Sequence, residues 1–243
     1  MSVYSIRRRV SSAEADQYRR LRTSALFGLL QLVSVEHCEA LGVGRARTLD
    51  RGFLWVVTMQ DVWIRRMPRY EEEMDIETWT GRTQHSLFPR YYRVSDVDGD
   101  MLAQGSAIWT LVDSGSRRML SADTCGIFVP AETEREALPL PYPILCGQTE
   151  RVRSFTVPYS YVDMNGHMSN VRYFDVAEDL LGAASRGLEP QRVSAEYVSE
   201  LTEGDTLELY VGHREGACIV LGKSNREHFR MRLAYAGGER KDD

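Results

Sequence analysis

The sequence predicts an α+β fold in which one unit, a strand, a helix and a run of antiparallel strands, occurs twice in tandem. Three observations predict it. Helical periodicity appears in two separate stretches, near residues 26–41 and 169–185. Each is followed by β-rich runs with turn residues between them. A proline-bearing segment without periodicity, residues 121–150, divides the halves, leaving an N-terminal repeat over 1–120 and a C-terminal repeat over 151–243. One copy alone would leave an apolar sheet edge or face uncovered, and pairing two copies would bury it.

In chain order, residues 3–10 alternate as a strand. Leu26, Leu30, Val33, His37 and Leu41 then recur at helical spacing, and Gly42 and Gly44 stop the pattern. Strands are expected over 52–66, which Pro68 ends, and over 74–79, 87–94 and 102–112. The last two are divided by the turn Asp96-Val97-Asp98-Gly99. The second half opens with a strand over 152–157, a loop over 158–168 and a helix over 169–185. In that helix Tyr173, Ala177, Leu180 and Ala184 share a face, Ser169 or Asn170 is the expected cap, and Gly187 is the stop. Strands over 193–201, 206–211, 217–222 and 228–235 complete it.

The composition, 43% hydrophobic and 27% charged over 243 residues, supports a real core. No apolar run approaches the about 18 residues of a membrane span. Arg7-Arg8-Arg9 leads into polar sequence and not into a signal core, so a cytoplasmic location is expected. Cys38, Cys125, Cys146 and Cys218 are scattered, with no metal-binding or disulfide spacing. They are expected to be buried and inert. A net charge of −5 argues against general nucleic-acid binding.

The densest reactive cluster is Tyr161-Val162-Asp163-Met164-Asn165-Gly166-His167-Met168-Ser169-Asn170. It precedes the second helix, whose N-terminus offers free backbone N–H groups and a positive dipole end. If the loop is extended, Asp163, Asn165 and His167 point one way and supply a base, a neutral donor and an imidazole. His37 falls on an apolar helix face and reads as a core residue, whereas His85, His213 and His228 read as solvated surface. Trp55, Trp63, Trp79 and Trp109 read as core more than as ligand contacts, with one or two of them available to line a pocket.

The string Asp163-x-Asn165-x-His167-x-x-Asn170-x-x-Tyr173 resembles the signature of the acyl-acyl-carrier-protein thioesterases of plants and bacteria, which are double hotdog proteins. The resemblance extends to Trp55 with Trp63-Ile64-Arg65-Arg66-Met67-Pro68, to Ile76-Glu77-Thr78-Trp79, to Arg90-Tyr91-Tyr92-Arg93-Val94 and to Ser106-Ala107-Ile108-Trp109. In the second repeat it includes Glu196-Tyr197-x-x-Glu200 and Gly204-Asp205. The chain departs from the pattern twice. Leu201 stands where plant members keep a cysteine, and Ser169-Asn170 replaces two asparagines.

The resemblance implies hydrolysis of fatty-acyl thioesters in fatty acid biosynthesis, most simply those on acyl-carrier protein, with no cofactor and no metal. It carries Asp163, Asn165 and His167 over as a catalytic loop and Glu200 as an acidic partner on a neighbouring strand. Asp163 or Glu200 would activate water, while Asn165, His167 and backbone N–H groups near Gly166 position it or polarise the carbonyl. One site per chain is expected, because residues 18–24 of the first repeat lack the Asp, Asn and His. That repeat would supply much of the acyl pocket. Four arginine groups, Arg7-Arg8-Arg9, Arg19-Arg20-Arg22, Arg65-Arg66-Arg69 and Arg117-Arg118, are candidates for docking an acidic carrier. The chain is expected to act as a monomer or homodimer. An acyl-CoA thioesterase, a hydratase or dehydratase on the same fold, and a non-catalytic acyl-binding protein are the alternative readings.

Overall fold

A computed structural model describes residues 2–183 and 186–236. The first repeat runs β1 (Val3–Arg9), α1 (Thr23–Ala40), β2 (Phe53–Ile64), β3 (Glu73–Thr80), β4 (Phe88–Asp96), β5 (Met101–Asp113) and the two-residue β6 (Met119–Leu120), with a helical turn α2 (Ala122–Cys125) after it. The second runs β7 (Thr149–Thr156), α3 (Arg172–Leu181), β8 (Pro190–Tyr197), β9 (Thr206–Arg214), β10 (Ala217–Lys223) and β11 (Glu227–Tyr235).

All eleven strands form one antiparallel sheet in the order β1-β3-β4-β5-β2-β8-β11-β10-β9-β7, with β6 on β5. Read outward from the centre, 2-5-4-3-1 and 8-11-10-9-7 are the same path walked twice. The halves join through β2 and β8, where Val62 faces Val193 in antiparallel register. The edges that a lone repeat would expose thus satisfy each other. This is the double hotdog. α1 and α3 pack together, their Phe27 and Phe174 rings stacked with centroids 4.0 Å apart.

The β2–β8 seam also carries a buried charge pair. Arg192 on β8 grips Asp61 on β2 through Nε at 2.9 Å and Nη2 at 2.7 Å, and Ser194 donates to the same carboxylate at 2.7 Å. Trp63 covers the guanidinium, whose carbon lies 4.2 Å from the ring centroid. Trp63 is therefore half-exposed and not core. On the other side of β2, Gly105 of β5 is required, since a Cβ there would stand 2.3 Å from the Asp61 carbonyl oxygen.

The 121–150 stretch opens with α2, and its last two residues already belong to β7. Between them the chain is irregular but pinned. Thr80 and Ser106 donate to the Pro130 and Pro139 carbonyls at 2.6 Å each, and Ile127, Val129 and Ile144 are buried. The start of the segment packs into the core with α1, and its later part lies against Ser106 of β5. β5 is consequently buried along nearly its whole length instead of in alternation.

α3 is shorter than its periodicity suggests. Its first residue is Arg172, no side chain caps it, and Gly182 in left-handed conformation (φ 62°) ends it. Ser169 and Asn170 precede the helix by two or more residues, too early to cap it. Phe174 and Val176 join Tyr173 and Ala177 in the core, while Ala184 and Ser185 lie outside the described residues. His228 is buried between Ser199 and Ser224, each 2.8 Å from a ring nitrogen, and is not surface. His37 is fully buried, as its helix face predicts.

Glu178 of α3 accepts from Thr23 at the start of α1 at 2.6 Å, and burial pushes its carboxyl up to about 7. The folded chain therefore holds a proton that the unfolded chain has lost between about pH 4.5 and about 7. Its contribution to stability is complete below that window and disappears as pH rises through 7. At about 1.4 kcal/mol per pKa unit the effect is on the order of 3 kcal/mol. Glu178→Gln is expected to gain on the wild type in melting temperature as pH goes from about 5 to about 8. A difference that does not change with pH would contradict this.

Candidate functional site

The loop holding Asp163, Asn165 and His167 is a tight hairpin and not an extended strand. Val162 bridges Met168, Asp163 N–H donates to the His167 carbonyl at 2.9 Å, and Gly166 N–H donates to the Asp163 carbonyl at 3.0 Å. Gly166 takes a left-handed φ of 79°, which closes the turn at little cost for a residue without Cβ. The Asp163 carboxylate accepts from the Asn165 N–H at 2.8 Å, an Asx turn that rigidifies the hairpin. The base is anchored by Met168 N–H on the Leu201 carbonyl at 2.7 Å and Ser169 N–H on the Tyr161 carbonyl at 2.9 Å.

The hairpin sends its side chains to different places. His167 turns toward Glu200, with Nε2 3.2 Å from Oε2. Glu200 does not sit on a strand. β8 ends at Tyr197, because Val198 and Ser199 both donate to the His228 carbonyl, at 2.8 and 3.1 Å, and turn the chain away. Asn165 is exposed, and its amide has no partner among the described residues. The Gly166 N–H is already spent within the turn, whereas the His167 N–H has no acceptor among the described residues.

A third side chain, from the other repeat, completes the cluster. Arg117, in the β5–β6 turn with φ 58°, places Nη1 3.3 Å from Glu200 Oε1 and Nη2 3.4 Å from His167 Nε2. A carboxylate can only accept, and Glu200 is the nearer of the two neighbours of Nε2. The imidazole proton is therefore on Nε2, directed at Glu200, and the Arg117–His167 approach is not a hydrogen bond. Nδ1 is left as an acceptor. Arg117 stood in the sequence as one of four candidate docking groups. Among the other three, Arg7, Arg8, Arg9, Arg20, Arg66 and Arg69 form ion pairs within the fold. Its role at the site required knowledge of where the β5–β6 turn lies.

Beneath the hairpin, Tyr173 is buried, with Tyr197 and Phe229 edge-on at 5.5 and 5.0 Å. Burial holds its phenol well above the ordinary range, and the Glu200 and Asp163 charges add to this. The ring is a neutral floor. Leu201, in the position of the plant cysteine, is also buried.

A cavity of about 230 Å³ opens beside the loop. Met164 and Asn165 form part of its rim, Val129 of the connecting segment adds to its wall, and the rest comes from the first repeat: α1, the segment after it, and strands β2 to β5. Trp55, Phe88 and Trp109 line it, so two of the four tryptophans do face a pocket. Cys38 lines it too, bringing one thiol nearer the site than the sequence suggested; burial pushes that thiol up. Among the described residues no group of three or more His, Cys, Asp or Glu side chains is arranged to hold a metal ion. No single helix among them is long and apolar enough to cross a membrane.

Comparisons with known proteins agree in both halves. The acyl-ACP thioesterase N-terminal domain matches residues 2–124, and the acyl-ACP thioesterase C-terminal domain matches residues 147–235. A chloroplastic acyl-[acyl-carrier-protein] hydrolase of Cuphea viscosissima is 23% identical over 185 residues, covering 68% of this chain and 43% of that protein. A palmitoyl-acyl carrier protein thioesterase of Gossypium hirsutum is 24% identical over 65% of this chain and 42% of its own length. The chain thus spans less than half the length of these curated relatives. Among solved structures, an acyl-ACP thioesterase from Bacteroides thetaiotaomicron superposes with a TM-score of 0.83 at 21% identity, covering 96% of this chain and 98% of that one. The 12:0-ACP thioesterase from Umbellularia californica gives 0.74 at 19% identity, with 97% of each chain covered. These likenesses establish the fold.

Proposed function

Because the chain belongs to the acyl-ACP thioesterase family, we propose that it hydrolyses fatty-acyl thioesters carried on acyl-carrier protein, releasing free fatty acid and carrier thiol in fatty acid biosynthesis. The observation that carries this reading is the meeting of the two repeats. Asn165 lies on the rim of an apolar cavity built mainly by the first, and His167, two residues on, is oriented by Glu200.

The acyl chain enters the cavity, and its thioester rests at the rim. The Asn165 amide donates to the carbonyl oxygen, whose negative charge grows as the carbon becomes tetrahedral. A water attacks that carbon and gives its proton to His167 Nδ1, while Glu200 steadies the imidazolium that forms, with Arg117 holding the carboxylate in place. Collapse of the intermediate breaks the C–S bond, and the thiolate takes the proton back from His167. Asp163 acts on position: its carboxylate holds the turn that presents Asn165.

Direct attack by water is favoured over a covalent route, which needs an activated Ser, Thr or Cys beside a base. Among the described residues no hydroxyl or thiol lies within hydrogen-bonding distance of the Asp163, His167 or Glu200 side chains. Steady-state traces are expected to show no burst, and rapid quench followed by mass spectrometry to find no acyl group on the enzyme. A stoichiometric acyl-enzyme would overturn the water mechanism and identify the nucleophile.

The carrier would approach over the exposed Arg117-Arg118 turn, beside the site. Charge contacts of this kind raise association rates and are screened over about 8–10 Å at ordinary ionic strength. The test is thiol release from acyl-carrier-protein and acyl-CoA thioesters of graded length, at low and high salt. Preference for the carrier protein that fades with salt is the expected result. Equal specificity constants at low salt would favour an acyl-CoA thioesterase. No release from any thioester would overturn hydrolysis, and water addition to enoyl thioesters would make the protein a hydratase.

A further inference from the structure

Arg90 on β4 lines the apolar cavity and is 4% exposed. Its Nη1 donates to His37 Nδ1 at 2.9 Å and to Thr78 Oγ1 at 3.2 Å, and its Nη2 donates to Cys38 Sγ at 3.2 Å. All three partners are neutral. An imidazole accepting at Nδ1 carries no charge there, and burial keeps the Cys38 thiol protonated.

Other arginines held within this fold are satisfied differently. Arg20 holds Asp16 through Nε at 2.9 Å and Nη2 at 2.8 Å, and Arg192 holds Asp61 by the same two atoms. Among the described residues Arg90 has no carboxylate within 4.0 Å and its Nε has no partner. Glu39, the only acid on the cavity wall among the described residues, is exposed and accepts from Arg45 N–H at 2.7 Å. A buried cation with neutral partners is expensive unless something completes it. A chain ending in methyl would cover that cation and offer it nothing.

Resting on the hydrolase reading, we propose that Arg90 is a subsite for a carboxylate at the distal end of the acyl chain, so that the preferred substrates are ω-carboxyacyl thioesters. The thioester lies at Asn165, the methylenes run along Trp55, Phe88 and Trp109, and the carboxylate meets the free Nε edge of the guanidinium. Desolvation of the cation is already met in folding, so the incoming anion gains a charge-assisted contact in a low-dielectric site. The cavity, about 230 Å³, is below the about 300–1,000 Å³ usual for drug-sized ligands, which keeps the chain short.

The experiment compares kcat/KM for ω-carboxyacyl and plain acyl thioesters of matched length. Wild type is expected to favour the carboxylated member by roughly ten- to hundredfold, the worth of a hydrogen bond to a charged group. In Arg90→Gln that ratio should collapse toward one, whatever happens to the absolute rates, and Arg90→Lys should restore part of it. A wild-type preference for the plain chain, or equal losses on both substrates in Arg90→Gln, would overturn the subsite and leave Arg90 as a tie between β4 and α1. A second measurement needs no variant: a free α,ω-dicarboxylate should raise the wild-type melting temperature more than the matched monocarboxylate, and equal shifts would contradict the proposal. Hydrolysis of the plain thioester by wild type tests the underlying activity separately.

Discussion

His167→Ala is expected to lower thioester turnover by about 10²-fold or more, the scale of a lost acid–base group. Asn165→Ala should match it through loss of the carbonyl donor, and Asp163→Ala through collapse of the turn that presents Asn165. None of the three is a core residue, and the hairpin is anchored by backbone bonds at Met168 and Ser169, so the fold should survive. Arg117→Ala should cost less, roughly tenfold, because its side chain is 43% exposed and acts through Glu200. The check is kcat measured on protein whose circular dichroism matches wild type. Wild-type turnover in any of the three alanine variants would remove that residue from the mechanism.

Arg192→Met is expected to destabilise the protein by roughly 3–5 kcal/mol, the cost of stranding one member of a buried ion pair. Asp61 would remain at the seam with its side chain 6% exposed and one hydroxyl, from Ser194, as its donor. The Asp61 hydrogen bonds hold the Arg192 guanidinium charged, above its ordinary range. The methionine retains the apolar stem over Trp63, so the loss isolates charge from packing. Asp61→Asn added to Arg192→Met should recover much of it. Denaturant midpoints at constant slope provide the measure, and a loss below about 1 kcal/mol would show the pair to be screened by solvent.

Much of this molecule is legible in its sequence, because alternation and helical spacing report which side of an element faces a core. Met74, Ile76 and Thr78 alternate inward as their pattern predicts. The duplicated topology follows from the order of such elements. What was not legible came from long-range partners. β5 is buried on both faces because an irregular segment covers it, and nothing within residues 101–113 shows that segment's path. Glu200 left its strand because His228, far along the chain, supplies the carbonyl that turns residues 198 and 199. Asp163, Asn165 and His167 could be named from residue type and resemblance, but an Asx turn and a left-handed Gly166 made a hairpin of them. Their side chains consequently part: Asp163 holds the turn's own backbone, Asn165 stands at the cavity rim, and His167 meets Glu200. Arg117 and Arg90 read as surface charge and strand content until the fold placed one beside Glu200 and the other in the cavity wall.

The near-twofold register of β2 on β8 has a consequence for how such a protein can change. In a pair of identical separate chains, every substitution arrives twice, once in each half. Here it arrives once. A bulky residue that narrows the cavity at Trp55 or Trp109 leaves its counterpart position in the other half untouched, and an altered hairpin near Gly166 has no twin to disturb. Covalent linkage has released the halves from the obligation to be alike, so substrate choice and bond chemistry can be varied in separate places on one continuous sheet.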